Sequence, residues 1–275
     1  IPAFLSAYEG TDPQVVGLNI FDILPKVNWR LSYNGLSKLP FFRDIFQNFT
    51  IDHAYKSTLT VNSFGTGLDY LRTRNDGGIN ELNGNFYPRL EMPQVGIQES
   101  FSPLVSISAT TRSGMSLSLD YNKDRNLAMS FVSNQLSETQ TKEFVISFGY
   151  LMRDVDIPFL TGKGGNGGAF GGGMFGNDSG SAPARAGQLQ GKDLDINFNL
   201  RMRDDVTFNH LLDQGIIEPT RGNYSLSLSP SVEYKMNQRL SLRLFFDYNR
   251  NVPKTSAGFP RTETAGGVIV RFALN

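Results

Sequence analysis

At 275 residues the chain has room for one large domain or two ordinary ones, and its balanced charge, 26 Lys+Arg against 26 Asp+Glu, leaves no basic field to attract nucleic acid. The absence of cysteine removes disulfide frameworks, thiolate zinc sites and cysteine nucleophiles, and no apolar run approaches the ~18 residues of a membrane-crossing helix. The 21 Phe, 10 Tyr and 28 Gly suit a sheet-rich protein. A mean hydropathy of -0.26 does not separate a soluble sheet from a membrane barrel, whose strands alternate apolar with polar residues.

No basic start followed by an apolar stretch and a small-residue cleavage site follows Ile1, so no secretory signal peptide is read here. The first alternating segment, 27–33, predicts a strand, 39–46 allows one short helix and no other is expected, and 49–61 predicts a second strand. A long connection is expected over 64–85, and Pro88 and Pro93 blur the reading between Phe86 and Phe101. Strands are then expected over 115–121, 127–131 and 144–152, with short breaks at 112–114 and 122–125 and a long connection over 154–191. In the next segment Leu194, Ile196, Phe198, Leu200 and Met202 alternate with Asp193, Asp195, Asn197, Asn199, Arg201 and Arg203. After a long connection over 209–221 comes the clearest signal. Tyr224, Leu226, Leu228, Pro230, Val232 and Tyr234 alternate with Ser225, Ser227, Ser229, Ser231 and Glu233. Past the break at 236–238, Leu240, Leu242, Leu244, Phe246 and Tyr248 alternate with Arg239, Ser241, Arg243, Asp247 and Asn249, which predicts a hairpin. Pro230 has no N–H to give a central ladder, so a bulge or an unpaired position is expected there. A last strand at 266–274 brings the expected number to about ten.

Alternation over ten or more residues exceeds ordinary soluble strands and predicts an all-β, antiparallel transmembrane β-barrel. At ~3.4 Å per residue and a tilt of ~40°, Tyr224 and Tyr234 lie about 26 Å apart along the barrel axis, matching the apolar band between aromatic girdles. The lipid-facing set is expected to be Phe198, Leu200, Met202, Tyr224, Leu226, Leu228, Tyr234, Leu242, Leu244, Phe246 and Tyr248. The lumen-facing set is Asp195, Asn197, Asn199, Arg201, Ser227, Ser229, Glu233, Arg243 and Asp247, and its mixed signs suit a wide hydrated wall rather than an ion filter. One barrel end is expected to carry short turns and the other long loops. With the C-terminus in the periplasm, the turn at Met236 falls there, the 209–221 loop lies outside, and the 154–191 segment is also periplasmic, the wrong side for the longest loop of a porin.

The segment 161–187 contains formal GxGxxG matches, for example Gly162, Gly164 and Gly167, but no helix start and no Gly-Lys-Ser/Thr, so it reads as a Gly-rich loop rather than a nucleotide site. Only His53 and His210 are available to a triad or a histidine metal site, and no nucleophile motif accompanies either. Asp193 with Asp195, and Asp204 with Asp205, lack the glycine-spaced oxygens of a calcium loop. No catalysis, metal or cofactor is expected.

The segments Asn28-Trp29-Arg30-Leu31-Ser32-Tyr33-Asn34-Gly35-Leu36-Ser37-Lys38 and Phe49-Thr50-Ile51-Asp52-His53-Ala54-Tyr55-Lys56-Ser57-Thr58 resemble the SprA/Sov family, the giant outer-membrane translocon proteins of the Bacteroidetes type IX secretion system. Ile1-Pro2-Ala3-Phe4-Leu5-Ser6-Ala7-Tyr8, Asp193-Leu194-Asp195-Ile196-Asn197-Phe198 and Arg203-Asp204-Asp205-Val206-Thr207 resemble its C-terminal region, whereas the Gly-rich loop has no counterpart. The end Phe272-Ala273-Leu274-Asn275 departs from the terminal aromatic of an outer-membrane insertion signal. The resemblance implies that residues 1–275 are a C-terminal part of a very large barrel. It also implies that the barrel conducts folded cargo proteins across the outer membrane through a wide pore with a lateral opening. A small outer-membrane barrel that receives cargo and a periplasmic plug would be its partners. The competing readings are a self-contained porin or a TonB-dependent receptor fragment, a soluble β-sandwich adhesin or binding module, and an outer-membrane enzyme using His53 or His210. A self-contained barrel needs an even strand count and closure between its first and last strands.

Overall fold

The structure, a computed structural model, describes residues 2–10, 12, 27–62, 64–73, 78–82, 84, 86–155, 157, 192–236, 239–255 and 258–273. The strands are β1 (Trp29–Tyr33), β2 (Phe46–Asn62), β3 (Gly65–Thr66), β4 (Leu90–Glu91), β5 (Gln94–Thr111), β6 (Met115–Ser130), β7 (Gln135–Met152), β8 (Asp193–Leu211), β9 (Ile216–Lys235), β10 (Leu240–Pro253) and β11 (Arg261–Phe272). Nine of them form one antiparallel sheet in the order β1-β2-β5-β6-β7-β8-β9-β10-β11, and β3 pairs with β4 alone. Apart from the excursion between β2 and β5, each strand of the sheet pairs with its neighbour in the chain, the connectivity that tight antiparallel turns produce. Among the described residues β1 and β11 are not paired with each other, so the sheet has two open edges.

Alternation sets the strands and proline sets their irregularities. In β5 the ladders to both neighbours skip between Phe101 and Val105, where Pro103 has no N–H to give. The segment carries two more residues than either partner. An even insertion keeps every side chain on its own face. The β8–β9 ladder shifts where Pro219 opposes Phe208. At Pro230, the β9–β10 ladder runs from Phe245–Ser231 to Tyr248–Leu228 with no bridged pair between them and no change of register. This is the unpaired position expected there.

The short helix expected within 39–46 is α2 (Pro40–Ile45). Leu39 is extended, as a residue before proline must be, Pro40 opens the first turn, and Phe46 returns to extended backbone. Two further helices were not expected, α1 (Pro2–Glu9) and α3 (Leu68–Arg72), nor was the 3-10 turn Gly35–Lys38.

Four expectations about the strands need correction. The break read at 122–125 does not exist: Asn122 to Arg125 pair with Glu143 to Gln140, so 115–121 and 127–131 are one strand, β6. A charged run in mid-strand resembles a turn only in composition. The long connection read at 209–221 is the tight turn 212–215, closed by Gly215 at φ 65, because β8 and β9 continue past their alternating cores. β5 went unread, the stretch between Phe86 and Phe101 being blurred by Pro88 and Pro93. Among the described residues the strands number eleven, where about ten were expected.

Connections also fail to sort by length. The turns at 131–134 and 212–215 lie at one end of the sheet, here the upper end, together with the long passage between β2 and β5. The turn at 112–114 and the β9–β10 connection lie at the lower end, together with the long passage from Met152 to Asp193 and the end of β11. The flanks of the Gly-rich segment therefore open on the side of the Met236 turn, as expected; 161–187 itself lies outside the described residues.

Candidate functional site

The ladders sort side chains into two faces, since residues directly opposite share a face. On one face Leu200 opposes Leu228, which in turn opposes Tyr248; Met202 opposes Leu226, Phe198 opposes Pro230, and Leu242 opposes Tyr234. Leu244 and Phe246 continue the alternation of β10, and Tyr224 opposes Asp204 and Val252. All eleven residues expected to face lipid therefore share one face. It extends through Phe144, Ile146, Phe148 and Tyr150 of β7, Met115, Leu117, Leu119 and Tyr121 of β6, and Ile51 and Phe49 of β2 to Leu31 and Tyr33 of β1.

The other face gathers Asp195 opposite Glu233, Asn199 opposite Ser229, Arg201 opposite Ser227 and Arg243 opposite Glu233, with Asn197 and Asp247 in the same alternation. All nine residues expected in the lumen are there. Charges on it are interleaved, as in Arg201 Nε to Glu143 Oε1 at 2.8 Å, and neutral polar groups pair across strands, as in Ser227 Oγ donating to Asn249 Oδ1 at 2.6 Å. Val145, Phe245 and Ile269 are apolar exceptions.

Strands of 14 to 20 residues in β6–β10 are longer than a membrane crossing needs, but their apolar stretches are not. These run over 144–152, 194–202, 224–234 and 240–248, close to the 9–11 residues of a tilted transmembrane strand. Their lower margin is diagonal. Phe46 pairs with Thr111, in register with Met115; Met115 is level with Tyr150, one pair above Met152; and Met152 is level with Leu242, one pair above Leu240. Two such steps climb about 14 Å while crossing six inter-strand spacings, or about 29 Å, from β10 to β2, a slope of about 25°.

Much of the apolar face is uncovered. Leu244 is 48% exposed, and on β11 Val268, Val270 and Phe272 are 60%, 63% and 60% exposed. Tyr234 is different: it is 2% exposed and its hydroxyl donates to the Val155 carbonyl at 3.0 Å, so it lies under the 153–155 segment rather than open at a margin.

Above the apolar stretch the same face carries an ionic belt that sequence reading missed. Arg125 Nε meets Glu138 Oε1 at 2.8 Å, His210 Nε2 donates to Glu138 Oε2 at 3.1 Å, and Gln140 Nε2 donates to Glu138 Oε1 at 2.8 Å. Tyr8 and Tyr55 donate to Glu99 Oε1 at 2.7 and 3.1 Å. Beyond the belt α1 closes a small core, in which Leu5, 2% exposed, packs on Ile97 and Leu127, with Leu59, Val61 and Leu136 around them. The belt was illegible because its members come from five strands and a helix, far apart in the chain. Burial, together with the neighbouring Glu99 carboxylate, pushes the Tyr8 hydroxyl well above the ordinary tyrosine value, so it stays a donor.

Glu138 lies beyond the 144–152 stretch. Burial pushes its carboxyl up, but hydrogen bonds from Gln140, Arg125 and His210 and the Arg125 charge outweigh this and hold it below its ordinary 4.5. A carboxylate lowered on folding contributes stability that is fully present above about pH 4.5 and is lost as pH falls through the lowered folded value. Amide protection across 125–138, taken relative to the intrinsic exchange rate at each pH, is therefore expected to fall on acidification below that pH. In Glu138→Gln the acid-dependent part should vanish, and an unchanged pH profile in that variant would contradict the assignment.

His53 Nδ1 donates to the Leu104 carbonyl at 2.6 Å, and His210 is engaged by Glu138. Among the described residues no group of three His, Asp or Glu side chains is placed to hold a metal. No family model matches the chain, and no curated protein is similar to it. The class that fold and faces define is an antiparallel all-β protein built on one broad, two-faced, open sheet.

Proposed function

We propose that the chain is a wall segment of a protein-conducting outer-membrane channel that exports folded cargo, as the SprA/Sov resemblance implies. The observation that carries the wall reading is the tilted apolar band, nine to eleven residues tall on β7–β10, backed by a hydrated face of mixed charge. In this reading lipid covers the even-numbered face of β8, β9 and β10, and Asn197, Asn199, Ser227, Ser229 and Arg243 keep the lumen wet. The wall acts passively, without a cofactor. A lumen lined by both signs holds no strong field against a passing protein surface, whereas a single sign would retain cargo of the opposite charge.

The open edges at β1 and β11 favour a part of a larger wall over a self-contained small barrel, which needs closure within these residues. A soluble sandwich needs a second sheet over the apolar face, and what packs on that face among the described residues includes short pieces such as α1, α2 and the 153–155 segment. The transport of protein, the small barrel partner and the periplasmic plug rest on the resemblance alone.

The test is fractionation of the native protein that contains this chain, followed by its particle mass in detergent. The reading expects an outer-membrane protein in a very large particle with a small co-purifying partner. A particle near the chain's own 30.5 kDa would overturn the large-wall reading in favour of a small porin, and a detergent-free soluble monomer would overturn the barrel.

A further inference from the structure

Where β2 begins, the chain gathers four phenylalanines. Ring centroids lie 5.9 Å apart for Phe42–Phe46, 5.3 Å for Phe42–Phe49 and 5.5 Å for Phe46–Phe49, and Phe41 stands edge-on to Phe42 at 5.8 Å. The cluster pins α2, which at six residues has no stability of its own, to the foot of the strand. Its outer side is open: Phe41 is 71% exposed, Leu39 49% and Ile45 43%, and the cations Lys38 and Arg43 are exposed among them.

Two observations say what covers it. Phe46 is the residue at which the diagonal lower margin of the apolar face meets β2, so the cluster continues that margin instead of standing apart from it. The interleaving of rings with Lys and Arg is also the composition of a surface that lies in a bilayer interface, rings at the acyl boundary and cations among phosphates. A protein partner's buried core would be depleted of lysine.

We propose that α2 and its phenylalanines form a lipid-interface foot: Leu39, Phe41 and Ile45 enter the boundary between headgroups and acyl chains, and Lys38 and Arg43 reach lipid phosphates. The inference rests on the wall reading, so its test includes a site that reports on that reading separately. A genetically encoded environment-sensitive fluorescent amino acid is placed at position 41, and in a second variant at 228, in the native full-length protein reconstituted into vesicles. The vesicles carry lipid nitroxides either near the headgroup or deep in the acyl chain, and iodide serves as the aqueous quencher.

The expected result is opposite depth profiles. The shallow nitroxide quenches position 41 at least about twofold more strongly than the deep one, and the order reverses at 228. Position 41 is among the most exposed of the large apolar side chains, so the replacement leaves the Phe42–Phe46–Phe49 contacts in place. Iodide quenching at 41 without lipid quenching, alongside deep quenching at 228, overturns the foot and leaves the wall standing. Protection of 41 from all three quenchers also overturns it, because protein then covers the patch. Loss of lipid quenching at 228 overturns the wall and the foot with it.

Discussion

Leu228→Arg is expected to destabilise the reconstituted protein by about 2–4 kcal/mol, while Ser227→Arg stays within about 1 kcal/mol of the parent. The two residues are chain neighbours on opposite faces. Leu228 is flanked by Leu200 and Tyr248 near the middle of the 224–234 stretch, where in the proposed wall a guanidinium must be drawn into hydrocarbon or pull water and headgroups inward. Ser227 stands opposite Arg201 and Asn249; a new side chain there loses one hydrogen bond, that to Asn249, but keeps its charge in water. Denaturant unfolding from bilayers measures both. Equal costs at the two positions would refute the face assignment.

The second large effect is expected at α1. Leu5 is among the largest fully buried side chains of the described residues, and Leu5→Ala removes the central apolar contact of the helix with Ile97 and Leu127. The cost is expected at about 2–3 kcal/mol, the low part of the range for such truncations, because an eight-residue helix can settle into the space left behind. Read by hydrogen exchange, the loss should be local. Amides of α1 and of the β5 and β6 ends around Ile97 and Leu127 lose protection, and those of β8–β10 do not. Ala7→Ser, at an exposed position of the same helix, is the control and should be neutral. If Leu5→Ala loosened the whole sheet equally, α1 would be part of its foundation rather than a local cover.

The sequence made the β8–β10 region legible because each residue there obeys one rule. Period-two alternation fixes a face without reference to neighbours, and the two sets of residues assigned from it lie on opposite faces of the sheet. Where the rule weakens, reading failed. Lys123, Asp124 and Arg125 resemble a turn, yet cross-strand partners on both sides carry the backbone straight through them. β5 went unread because Pro88 and Pro93 blur the stretch before Phe101, and a two-residue excursion around Pro103 lets the strand resume on the same face. The upper halves of β8 and β9 lack a clean apolar side, which made a four-residue turn look like a long loop. Neither the belt around Glu138 nor the diagonal margin was readable at all, since both depend on register between strands far apart in the chain.

The measurement that bears most directly on the central claim is a nitroxide scan of β9, with an encoded spin-labelled residue placed singly at positions 225 to 233 of the native protein in bilayers. Collision rates with oxygen, which concentrates in hydrocarbon, and with a water-soluble nickel chelate are then compared position by position. The account predicts a period of two: positions 226, 228 and 232 favour oxygen and exclude the chelate, while 225, 227, 229 and 231 do the reverse. Chelate access at every position, or oxygen preference on the odd-numbered side, would contradict a wall with lipid on its apolar face.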